Sequence, residues 1–211
     1  FLVWSNYLNN RIKTLNPTPS PVQSAPTLTT SEKMATNSAD MTNWKTYTNA
    51  KYKYQFDYPA NSSVSSEPNF QKSESIGPIG GERGYSERMW VDIQEEDPYN
   101  PKMSFPDFAF YSVQLRCTAG GGGAEVYCNK VLQQSKFSNK SGLDVYELYI
   151  NSVRVREGKK GTESRIGPIF VIDISKYTKA ARALVIAVSF YDPIFKDEEE
   201  TMWEVVDSIR F

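Results

Sequence analysis

An α+β domain, an antiparallel β-sheet with two main helices packed on it, is what this 211-residue chain predicts. Three observations carry the prediction. Residues 52–58 alternate strictly, with Tyr52, Tyr54, Phe56 and Tyr58 on one face and Lys53, Gln55 and Asp57 on the other, the period-two pattern of a half-buried strand. The run ARALVIAVSF at 181–190 is almost wholly apolar and fits a central strand covered on both faces. Two segments show helical spacing with start signals, SFPDFAFYSVQLRC and FKDEEETMWEVVDSI.

Taken in order, WKTYT and YKYQFDY, joined by NAK, form a hairpin closed by Pro59. The polar, Gly-rich stretch 62–86 reads as a long loop with one weak strand. RMWVDIQEE returns to alternation, with Met89, Val91 and Ile93 on one side. In the first helix Ser104 and Asp107 make a capping pattern, and Pro106 lies in the first turn, where a missing N–H costs little. Phe105, Phe108, Ser112 and Leu115 form its expected stripe. Three or four strands follow, NKVLQQSKF, LDVYELYINSVRV, GPIFVIDIS and ARALVIAVSF, with turns at NKSG and REGKKG. In the last helix Asp197, Glu198, Glu199 and Glu200 sit where the helix dipole favours negative charge, and Met202, Val205, Val206 and Ile209 line one face. IRF closes the chain as a short strand. IGPI occurs at 76 and again at 166, in surroundings that read as coincidence.

Three regions are expected. Residues 44–211 hold the apolar content of a folded domain. Residues 14–43 are rich in Pro, Thr and Ser, bury almost nothing and predict a disordered tether of extended backbone. Residues 1–13, FLVWSNYLNNRIK, look like the interfacial end of a truncated membrane anchor, with Trp4 and Tyr7 ahead of Arg11 and Lys13. An ordinary amphipathic N-terminus is the alternative. The two basic residues run against the positive-inside preference for an exported domain.

Charge and composition exclude several chemistries. With 24 basic and 25 acidic residues, nothing calls for nucleic acid. With no histidine, Ser-His-Asp triads, Cys-His pairs and His-containing zinc sites are ruled out. Cys117 and Cys128 bracket CTAGGGGAEVYC; a disulfide at the base of that Gly-rich loop implies an oxidising compartment, and two independent thiols are the alternative. Asp92, Glu95, Glu96 and Asp97 in VDIQEEDPYNP are the candidate calcium ligands, without the spacing of an EF-hand loop; a solvated strand end is the alternative. Asn61 and Asn139 begin triplets of the glycosylation type. No cofactor is expected.

The aromatic opening strand after a Pro/Thr/Ser tether, then SGLDVYELYI, VIAVSFYDP, an acidic-start helix and a terminal SIRF, resemble bacterial PsbP-like domains over residues 44–211. These are relatives in fold of the PsbP subunit of the oxygen-evolving photosystem. The resemblance implies a PsbP-like α+β fold and a membrane-tethered, extracytoplasmic setting; it maps no functional residue onto this chain. The expected function is an extracytoplasmic, membrane-tethered binding or assembly module with a protein partner in the cell envelope and no catalytic site. A small-ligand or divalent-cation binding protein, and a carboxylate-based envelope hydrolase, are the alternatives.

Overall fold

The computed structural model describes residues 41–66, 73–79, 87–95, 103–117, 124–156, 159–179, 181–188 and 194–211. The region read as an anchor and all but the last three residues of the expected tether lie outside them; Met41–Asn43 form a 3-10 turn.

The hairpin forms from β1 (Lys45–Thr48) and β2 (Gln55–Tyr58), with Tyr47 opposite Phe56. Tyr52 and Tyr54 precede β2 in the turn yet are buried like Phe56. A second sheet of seven antiparallel strands runs in the order β3-β4-β5-β9-β8-β7-β6. Its members are β3 (Ser63–Ser66), β4 (Ser73–Ile79), β5 (Glu87–Gln94), β6 (Ala124–Ser138), β7 (Asp144–Arg156), β8 (Lys159–Asp173) and β9 (Ala183–Ala187). The apolar run is central as expected, with β9 buried throughout between β5 and β8.

Alternation along β9 separates two cores. Leu184, Ile186 and Val188 face one cluster, with Tyr54, Phe56, Met202, Val205 and Val206. Ala183, Val185 and Ala187 face the other, with Phe108, Ala109 and Val113. Helix α1 (Phe105–Cys117) therefore covers one face, while α2 (Lys196–Ser208) and the hairpin cover the other.

The helices form where their signals lie. Ser104 Oγ donates to Asp107 Oδ2 at 2.5 Å and accepts from Asp107 N at 3.4 Å. Glu198 Oε2 accepts from Phe195 N at 2.9 Å, satisfying one orphan donor of α2. The stripe on α1 needs one correction: Leu115 is 48% exposed, and Ala109, Ser112 and Val113 line the packed face with Phe108. At 100° per residue Leu115 falls to one side of that face. Ser112 is at home there because its hydroxyl donates to the Phe108 carbonyl at 2.8 Å.

The described residues of the stretch 62–86 hold two strands where one is expected. β4 escapes a hydrophobic reading because its Ser73, Glu74 and Ser75 are buried and bonded: Ser75 Oγ meets Ser65 Oγ at 2.8 Å and accepts from Arg88 Nε at 3.1 Å. β6 and β8 also outrun their apolar patterns, since ladder bonds to β7 do not depend on side-chain hydropathy.

The two IGPI segments share a local structure. Ile76 pairs with Met89 and Ile79 with Glu87; Ile166 pairs with Ile150 and Ile169 with Leu148. Each time Gly-Pro sets two residues against one, a bulge suited to a proline without a ladder donor. Gly167 has φ +137°, and a Cβ there would lie 2.7 Å from the Leu148 carbonyl oxygen and 2.8 Å from Tyr149 Cδ1. Gly167→Ala is expected to cost about 2–3 kcal/mol, from strain plus overpacking. Gly142→Ala, at φ +78° with nothing within 4 Å, costs only about 1 kcal/mol of backbone preference. Urea midpoints of the two variants test the difference.

Candidate functional site

Cys117 and Cys128 form a disulfide with Cα atoms 5.7 Å apart, a normal span for the bond. It joins the last residue of α1 to β6 inside the second core and is compatible with an extracytoplasmic location.

The acidic strand end is divided. Asp92 is buried on β5, opposite Ser73, and accepts that residue's hydroxyl; Glu95 is exposed beyond the strand. Glu96 and Asp97 lie outside the described residues. No group of three potential metal-ligating side chains comes together among the described residues.

Sequence reading missed three polar centres, because their partners are distant in the chain. In the first, buried Glu74 accepts from Tyr47 at 3.1 Å and Asn49 at 2.5 Å through Oε1, and from Tyr54 through Oε2. Burial, followed by Glu74, pushes the Tyr54 phenol far above its ordinary range. This cage fastens the hairpin to β4 and leaves Tyr54 a permanent donor.

In the second, Arg210 grips Asp57 with two bonds of 3.1 Å, Thr46 Oγ1 adds one of 2.7 Å, and Arg210 and Gln55 exchange backbone bonds of 2.8 and 3.0 Å. Partial burial opposes ionisation of Asp57, but the Arg210 hydrogen bonds prevail and hold its carboxyl below the usual value. The expected terminal strand is this single bridge at Arg210.

The third centre lies on the α2 side of β6, β7 and β8. Apolar packing of Trp203 against Phe170 (4.7 Å) and Phe137 (5.0 Å) gives way to polar groups further along the strands. Glu147 is buried and accepts from Ser135 Oγ at 2.5 Å. Arg165 lies 4.1 Å over the Tyr149 ring and donates to Gln133 at 2.7 Å. Burial, then Glu147, raises the Tyr149 phenol. Burial, opposed by the Trp203 hydrogen bond and aided by Glu147 and Glu200, raises the Glu199 carboxyl above its ordinary value. A carboxyl raised in the fold favours the folded state fully below about pH 4.5, and that contribution is lost as pH rises through the folded value. Glu199→Gln is therefore expected to raise the urea midpoint at pH 7 and leave it unchanged at pH 4; equal midpoints at both pH values would refute the shift.

Among these centres only the third combines two carboxylates, a phenol and a guanidinium. Ser135 engages Glu147, Trp203 engages Glu199 and Gln133 engages Arg165, so the arrangement ties the strands and the helix together.

No family model and no curated protein matches the chain. Among solved structures, the chain is similar to cyanobacterial PsbP (CyanoP) from Synechocystis sp. PCC 6803, determined in solution, with 11% identity, a TM-score of 0.49, and 80% of this chain and 92% of that one covered.

Proposed function

We propose that this chain is an extracytoplasmic, membrane-tethered binding or assembly module that works through a protein partner in the cell envelope and carries out no catalytic step. The observation that carries this reading is the buried Cys117–Cys128 disulfide, the kind of cross-link that persists in oxidising compartments. The shape of the sheet supports it. Strands β6, β7 and β8 run 15, 13 and 15 residues, whereas β9 spans only 5, so they form a long three-stranded arm. Its outer strand, β6, is a sheet edge with an exposed Leu132, the sort of edge to which another chain adds. Engagement of Glu147 by Ser135 and of Glu199 by Trp203 favours binding over hydrolysis, which needs two carboxylates free to face a substrate.

The test is a photo-crosslinkable residue at Leu132 in the living source cell, with thiol trapping of the same protein. One dominant crosslinked envelope protein and thiols that alkylate only after reduction are expected. Freely alkylated thiols, or no crosslink at all, would overturn the reading.

A further inference from the structure

We infer that one rim of the domain is a docking surface for an anionic lipid bilayer. Two turns flank Phe211 there. The turn 49–54, closed by Lys53 N donating to the Asn49 carbonyl at 2.9 Å, presents Lys51 and Lys53. The turn after β8, closed by Tyr177 N donating to the Ile174 carbonyl at 2.9 Å, presents Lys176, Tyr177 and Lys179. Phe211 joins them: its ring stacks on Tyr177 at 4.5 Å with 14° between planes, and lies 6.3 Å from Tyr54. Tyr177 and Phe211 are 48% and 38% exposed, which leaves a flat aromatic pair facing solvent beside two turns of exposed lysines.

Charge decides the occupant. None of the four lysines has a carboxylate partner among the described residues, and Lys51 lies 4.9 Å over the Tyr52 ring. Of the acids nearest those turns in sequence, Asp57 is paired with Arg210, and Asp173 accepts from Ser175 Oγ at 2.6 Å. In a chain whose net charge is −1, the two turns, 49–54 and 174–179, carry four lysines and no acidic residue. The amphipathic Tyr177 ring, stacked on Phe211 among lysines with no carboxylate partner in the described residues, suits the headgroup region, where such rings settle at the interface and lysines meet lipid phosphates. A soluble polyanion would need the lysines but not the rings. The inference does not depend on the function proposed above, which stands if this one fails.

The test is flotation of the full chain with vesicles of phosphatidylcholine alone or mixed with phosphatidylglycerol. Binding is expected only to the mixed vesicles, weakened by salt. Each lysine near such a surface contributes about fivefold, so Lys176→Ala with Lys179→Ala should lower the partition coefficient at least tenfold. Tyr177→Ser should lower it several-fold, and Tyr177→Trp should show a blue-shifted emission on binding. Thermal melts of the variants confirm folding. Partition unaffected by all of these would place binding elsewhere, as in segment 1–13, and overturn the inference. Binding to soluble polyphosphate with no response to Tyr177→Ser would assign the rim to a polyanion and overturn it equally.

Discussion

Asn139→Ala should unfold at markedly lower urea, with a loss of about 3–5 kcal/mol. Asn139 is buried in the β6–β7 turn and its amide makes four hydrogen bonds. Oδ1 accepts from Ser141 N at 3.0 Å and Leu143 N at 2.9 Å, which shapes the turn. Nδ2 donates to the carbonyls of Val206 at 3.0 Å and Ile209 at 2.8 Å, which caps the C-terminal end of α2. One side chain thus joins the long arm to the last helix, 67–70 residues away. Alanine strands the Leu143 N–H and the Ile209 carbonyl among buried residues, each costing about 1–3 kcal/mol, while the Val206 carbonyl keeps the Ile209 N–H at 3.3 Å. For a domain of this size that corresponds to a fall in Tm of roughly 10 °C. Asn139→Asp keeps the acceptor but turns a carboxylate toward two carbonyl oxygens. It should be as damaging at pH 7 and milder at low pH, where a protonated carboxyl can donate again. A loss below about 1 kcal/mol for Asn139→Ala would show that the capping bonds do not persist in solution. The same bonding removes Asn139 as a glycan acceptor, whatever its triplet spells.

What was legible in the sequence follows from what repeats locally. The hairpin, both helices with their start signals, and the central place of β9 are each written in a run of neighbouring residues whose period matches the element. Strand β4 was not legible because its buried positions carry Ser and Glu, acceptable only when Ser65, Arg88, Tyr47 and Tyr54 arrive from elsewhere. The bulges at the two IGPI segments depend on which strand lies opposite, so neither segment announces its role alone. The polar centres were hidden for the same reason. Asp57 meets Arg210 across 153 positions and Glu74 meets Asn49 across 25, spacings that no motif scan covers. Nearness in sequence does not make a ligand set of the acids at 92–97: Asp92 is turned inward to Ser73 while Glu95 stands outside the strand.

Removing the Cys117–Cys128 bond should cost about 3 kcal/mol and loosen one layer before the rest. The bond closes a loop with a sequence separation of 11, for which the chain-entropy account gives about that value. Both sulfurs lie in the core beneath α1, with Cys117 fully buried and Cys128 nearly so. Thiols keep most of that packing, since a free cysteine behaves as a small hydrophobe. Reduction, or Cys117→Ala with Cys128→Ala, should therefore lower the urea midpoint without abolishing the fold. Serine at both positions should cost more, because two hydroxyls would enter an apolar cluster. The response should be local. Helix α1 also rests on β7, β8 and β9 through Phe108, Ala109 and Val113, while the opposite layer has its own core and the Asn139 link. Hydrogen exchange after reduction should accelerate in Phe105–Cys117 and the first half of β6, and leave β9 and α2 protected. Uniform acceleration across both layers would mean that the domain opens as one unit. An unchanged midpoint, with both cysteines alkylated in the unreduced protein, would mean that the bond is not formed in the native chain, and the reading of an oxidising compartment would fall with it.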